Sequence, residues 1–217
     1  MEVICFDMDN TLIHSDKCHI EAYNKAFVKN GINKLKNSKV KKALVGETHL
    51  QVIKKLFPHM KDRMVLKIRS DHNYFIRKKT YKYAKKINGV AETLKKLKGG
   101  YELSLISNCT KREIFALLKG AGIDKNLFDS IVGIDDVAHG KPYPDEMIKT
   151  ERLLHQNVKY MVGDSIHDIL IGKRMGVITI GVLTGNTSKN KLRKYRPNYI
   201  LKSVKYLPKL IEKLGSE

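Results

Sequence analysis

The stretch Val3-Ile4-Cys5-Phe6-Asp7-Met8-Asp9-Asn10-Thr11-Leu12 decides the fold. An apolar run stops abruptly at two carboxylates separated by one residue, with a hydroxyl close behind. A run without polar alternation is what a strand buried on both faces of a parallel sheet requires. In open α/β sheets the reactive groups lie just past the carboxyl ends of the strands, which is where Asp7 and Asp9 fall. Two acids this close repel, so they invite a cation or divide into one ionised and one protonated member. The plainer alternative is a turn, since Asp, Asn and Thr are common turn formers.

Three later stretches bear on that choice. Leu103 to Asn108 is a second apolar run, ending in a hydroxyl and an amide at Ser107 and Asn108. Gly140-Lys141-Pro142 sets a lysine in a rigid turn. Tyr160 to Asp168 is a third run, ending in Asp164 and, one helical turn further, Asp168. In one sheet, these would gather carboxylates, a hydroxyl, an amide and an amine at a single edge.

In this order the four stretches resemble the motifs of the haloacid dehalogenase (HAD) superfamily, in its phosphoglycolate phosphatase and β-phosphoglucomutase-like branch. The resemblance covers essentially the whole chain. It implies a doubly wound α/β core with a parallel sheet and an inserted helical cap of the C1 type. Strands alternating with helices after Asn88 argue the same class independently. The expected core is 1–13 with 88–217. Between them, 14–87 carries apolar residues at helical spacing, as in Ala22, Ala26 and Phe27 and again in Val52, Ile53, Leu56 and Phe57. Strands are not expected within that segment, and a helix is expected over 62–86.

The resemblance also implies roles. Asp7 would be the nucleophile of phosphate ester cleavage, forming an aspartyl phosphate, and Asp9 the general acid and then base, a task suited to a carboxyl of raised pKa. Lys141 would stabilise Asp7 and the transferring group. Asp7, Asp164, Asp168 and the Asp9 carbonyl would hold Mg2+, a hard ion that favours oxygen ligands. Ser107, Asn108 and the Met8 backbone N–H would bind the phosphoryl oxygens. For Ser107 an N-cap to the next helix remains an alternative, and for Asp168 a charge at a helix N-terminus. His19 matches a histidine of the first cap helix, although a lone histidine can equally be a packing residue. In the cap loop, His49 replaces the basic residue with which mutases hold a second phosphate, a departure that weakens the mutase reading. Asp9 sets the chain apart from dehalogenating members, which lack the second aspartate.

The expected activity is therefore a magnesium-dependent phosphatase of small phosphorylated metabolites, with a hexose phosphate mutase as the alternative enzyme. A different class is suggested by charge: 42 basic against 22 acidic residues give +20. With the aromatics of the basic stretch from Arg77 to Lys86, that charge could serve nucleic acid, as against a surface charged for solubility. Hydrophobic content of 42% supports a real core. No apolar run approaches the ~18–20 residues of a membrane span, and no signal peptide is read before the first strand, so a soluble cytoplasmic protein is expected. Cys5, Cys18 and Cys109 lack C-x-x-C spacing and are read as free thiols, Cys109 as reactive or as a small buried hydrophobe.

Overall fold

The computed structural model describes residues 1–215. In chain order its elements are β1 (Glu2–Asp7), β2 (Ile13–His14), α1 (Asp16–Lys29), α2 (Asn37–Leu44), α3 (His49–Leu56), α4 (Asp62–Phe75) and β3 (Lys85–Lys86). There follow α5 (Val90–Lys98), β4 (Tyr101–Ser107), α6 (Lys111–Ala121), β5 (Ser130–Gly133), α7 (Asp145–Leu154), β6 (Val158–Gly163), α8 (Ile166–Arg174), β7 (Ile178–Val182), α9 (Lys189–Lys194), β8 (Tyr199–Leu201) and α10 (Leu207–Gly215). The main sheet has six strands in the order β5-β4-β1-β6-β7-β8, all parallel.

The opening run is central because every side chain from Val3 to Phe6 is fully buried, leaving no face for water. The register explains why distant motifs meet. Asp7 pairs with Ile106, so Ser107 lies one residue past it on β4. On the other side Phe6 pairs with Val162, which brings Asp164 just beyond the end of β6. Parallel strands of matched length thus deliver their C-terminal residues to one edge.

The helices between β2 and β3 carry an apolar cluster of their own, with Tyr23, Phe27, Val52, Ile53 and Ile68 among its buried members. A second, larger cluster fills the space around the sheet and also takes in Cys18, Ala22 and Ile76. The helix expected over 62–86 stops at Phe75. A π turn over Ile76–Thr80 and a single 3-10 turn over Tyr81–Tyr83 follow, and Lys85–Lys86 is a strand. The Thr80 hydroxyl donates to the Phe75 carbonyl at 3.3 Å and competes with the regular helical ladder. The expectation of no strands in this segment is likewise corrected: His14 pairs with Lys85 and Ile13 with Lys86 in an antiparallel ribbon. Two residues per strand are too few to show a period of two. Among the described residues no helix is long and apolar enough to cross a membrane.

Candidate active site

A cleft at the C-terminal edge of the sheet is lined by Asp7, Asp9, Ser107, Asn108, Lys141 and Asp164 from the strand ends, and by His19 and His49 from the inserted helices. Asp168 sits on the first turn of α8 and reaches the same centre from below. The Lys141 ammonium bridges two carboxylates, 2.5 Å from Asp7 Oδ1 and 2.8 Å from Asp168 Oδ1. The Thr11 hydroxyl donates to the other oxygen of Asp7 at 2.9 Å, fixing the carboxylate plane from both sides. Asp168 also accepts from the Ser165 N–H and hydroxyl, at 3.0 and 2.7 Å. It therefore completes the capping box of α8, whose N-cap is Ser165, while anchoring Lys141.

Asp7, Asp164 and Asp168 are all buried, and one oxygen of each lies within 4.8 Å of the others. Against three carboxylates stands a single ammonium, and it touches only two of them. Burial, then the charges of Asp168 and Asp9, push Asp7 up to about 7 against the pull of Lys141. Burial and the charges of Asp7 and Asp168 push Asp164 well above the usual carboxylate range. Burial opposes ionised Lys141 too, yet Asp168 and Asp7 hold its pKa well above that of a free lysine. A surplus of buried carboxylate oxygens converging on one point fits a divalent cation with hard-ligand preferences. Gly185 belongs to this fit: a Cβ there would come within 1.6 Å of Asp164 Oδ2, so only glycine admits the carboxylate.

Asp9 is reached by a different set of groups. It accepts from the Ser15 hydroxyl, lies 3.4 Å from His19 Nε2, and takes a weak bond from the Cys109 thiol at 3.6 Å. Burial would raise its pKa, but the His19 hydrogen bond and charge, with Ser15, carry it below the ordinary value. His19 moves the opposite way: burial lowers it, and Asp9 and Glu113 more than restore the proton. The expectation of a raised pKa at Asp9 is thus corrected. The two shifts have one cause, the 3.4 Å contact between His19 Nε2 and Asp9 Oδ1.

Other expectations shift in detail. The cap of α6 is Thr110, not Ser107. Thr110 N–H and hydroxyl bond Glu113 Oε2 at 2.9 and 2.7 Å, while the Ser107 hydroxyl accepts from Cys109 N–H at 3.1 Å. Asn108 donates to the Gly46 carbonyl at 3.2 Å, and its buried Oδ1 has no hydrogen-bond partner among the described residues. The Met8 side chain is in the core, and its carbonyl accepts from Leu12 N–H at 3.0 Å. His49 is at the start of α3, one nitrogen 3.0 Å from the Tyr23 hydroxyl and the other 3.2 Å from Glu113. Glu146, in the first turn of α7, is fully buried. Burial and the nearby acids, against Lys141, push it up to about 8, so it is a neutral acid. Cys109 is the small buried thiol of the two readings, its pKa raised by burial. In the basic stretch, Tyr81 and Tyr83 pack against the main core rather than standing free for base stacking. Sequence reasoning passed over Ser15, whose partner Asp9 is six residues away, and His72 and Glu113, whose contact joins α4 to α6. The one local sign was Thr110-x-x-Glu113, a capping-box spacing.

This fold and edge arrangement are those of haloacid dehalogenase-like hydrolases: the model of that family matches residues 4–182, and the chain belongs to it. Among curated relatives, pyrophosphatase PpaX of Halalkalibacterium halodurans is 30% identical over 218 residues, covering 99% of this chain and 97% of that protein. PpaX of Oceanobacillus iheyensis is 29% identical, covering 94% of each. Among solved structures, a hydrolase from Pseudomonas syringae superposes with a TM-score of 0.81 at 22% identity, covering 98% of this chain and 99% of that one.

Proposed function

We propose that the chain is a magnesium-dependent phosphatase of small phosphorylated metabolites that works through an aspartyl phosphate on Asp7, with 14–87 acting as the cap. The observation that carries this reading is the Lys141 ammonium bridging Asp7 and Asp168 at 2.5 and 2.8 Å, with Asp164 completing the carboxylate set. Asp7, Asp164, Asp168 and the Asp9 carbonyl would hold the ion, which supplies charge neutralisation between the carboxylates and the incoming phosphoryl group.

The residues of this chain then divide the work. Lys141 and Thr11 hold Asp7 by its two oxygens and leave it one trajectory toward phosphorus. As an Asp7 oxygen bonds phosphorus, the bond from phosphorus to the leaving oxygen breaks. Asp9 delivers a proton to that oxygen and is left ionised. In the second half Asp9 takes a proton from water, whose oxygen attacks the phosphoryl group and releases Asp7 and inorganic phosphate. Ser107, Asn108 and the Met8 N–H bind the non-bridging oxygens. The PpaX relatives bring pyrophosphate forward as a substrate. Its departing phosphate needs less help from Asp9 than an alkoxide does. His49, turned toward Tyr23 and Glu113, weighs against a mutase grip on a second phosphate.

The test is hydrolysis of p-nitrophenyl phosphate, pyrophosphate and a panel of metabolite phosphates, with and without magnesium. Asp7→Asn should lose at least ~1000-fold in kcat while keeping its circular dichroism. Retained activity in that variant would overturn the reading.

A further inference from the structure

Where the inserted helices meet the core, three histidines converge. His19 comes from α1, His49 from the start of α3 and His72 from α4, exposed by only 5%, 7% and 0%. One nitrogen of each falls within 4.8 Å of the others. The ring centroids are 5.7, 5.4 and 4.3 Å apart. His19 Nδ1 and His72 Nε2 are separated by 3.2 Å, close to the ~3.4 Å between two nitrogens bound to one tetrahedral zinc.

The surroundings match what histidine ligands normally have behind them. A metal-bound imidazole donates its second nitrogen to a carboxylate or carbonyl, which sets its tautomer. Here His19 Nε2 is 3.4 Å from Asp9 and His72 Nδ1 is 3.4 Å from Glu113 Oε1. Glu113 Oε1 also lies 3.2 Å from His49 Nε2, a buried nitrogen that makes no well-directed hydrogen bond. The Tyr23 hydroxyl lies 3.0 Å from His49 Nδ1, at the edge of the cluster.

Charge gives a second and independent argument. Glu113 is fully buried, and among the described residues its ion pairs are with His49 and His72, not with lysine or arginine. Asp9 leans on the same histidines through His19. Buried carboxylates without fixed positive charge are costly unless paired, and a doubly charged ion among the three imidazoles would balance both. Imidazole donors suit zinc and its neighbours, whereas the all-carboxylate centre around Asp7 suits hard ions.

We propose that His19, His49 and His72 form a second metal site, for zinc or a similar divalent transition ion, distinct from the carboxylate centre. Such an ion would tie three helices of the insert together and hold His19 against Asp9. The His19 and His72 rings are nearly coplanar, at 9°, a geometry that suits an N–H···N bond, and an ion bound by both would need the rings to tilt. The proposal does not depend on the catalytic reading.

The experiment uses the full chain, stripped with a chelator, returned to excess magnesium and titrated with zinc or cobalt(II). Expected are one tightly held ion per chain and, with cobalt, the intense visible bands of a tetrahedral site. Asp164→Asn should leave that signal intact and His72→Asn should abolish it. Glu113→Gln should weaken binding ~10–100-fold. X-ray absorption at the zinc edge of the unmutated chain should show imidazole scattering, a readout that survives any folding defect in the variants. No retained zinc in magnesium, an all-oxygen shell, or loss in Asp164→Asn with retention in His72→Asn would each overturn the proposal.

Discussion

Burial, with the neighbouring His49, pulls the His72 imidazole down to about 4, although Glu113 draws it the other way. The folded chain therefore keeps this ring neutral under conditions where the unfolded chain protonates it. The associated stability is fully present above about pH 6.5, the ordinary histidine value, and drains away as the pH falls toward 4. Up to about 3 kcal/mol is at stake for a shift of this size. Urea unfolding of the chelator-treated protein should show that decline, and His72→Asn should flatten it. Asp9 yields a second expectation at this scale. If it protonates the leaving oxygen, Asp9→Asn should cost ~100–10,000-fold on an alkyl phosphate. On p-nitrophenyl phosphate, whose leaving group needs little protonation, the loss should be at least tenfold smaller, as steady-state rates on the two substrates would reveal. Asp7 and Asp164 were legible because each follows an apolar run, and Lys141 because it stands in a Gly-Lys-Pro turn. His72 and Glu113 were not: the capping-box spacing before Glu113 marks only a helix start, nothing near His72 marks it, and their pairing arises only when α4 and α6 come into contact.

At the level of elements, the loop before α3 reaches across the cleft through Gly46. Its carbonyl receives the Asn108 amide at 3.2 Å and lies 2.5 Å from His167 Nδ1. Gly46 has φ +72°, and a Cβ there would meet His167 Nδ1 at 2.3 Å. Gly46→Ala should therefore cost ~1–2 kcal/mol of stability from the left-handed backbone alone. It should also raise KM on the order of tenfold by displacing Asn108, with kcat less affected, a split that steady-state kinetics would separate. The sheet was legible as elements because its strands are long apolar runs bounded by turn residues. The segment after Phe75 was not, since its π turn, 3-10 turn and two-residue strand arise from how Ile76, Thr80 and Ala84 bury against the main core rather than from any periodic pattern.

The whole molecule carries +20, and a net charge of that sign attracts anions at long range. Raising ionic strength from ~0.02 to ~0.5 M should reduce kcat/KM for a dianionic substrate several-fold through screening, leaving kcat nearly unchanged. Composition announced this charge but not its use, because a net total says nothing of where the field is focused. The ribbon at the base of the inserted helices has a further consequence. Since Ile13 and His14 lie directly opposite Lys86 and Lys85, the chain departs from the sheet and rejoins it at one doorway. A different helical cassette spliced between those two points would leave the sheet and its carboxylate edge in place.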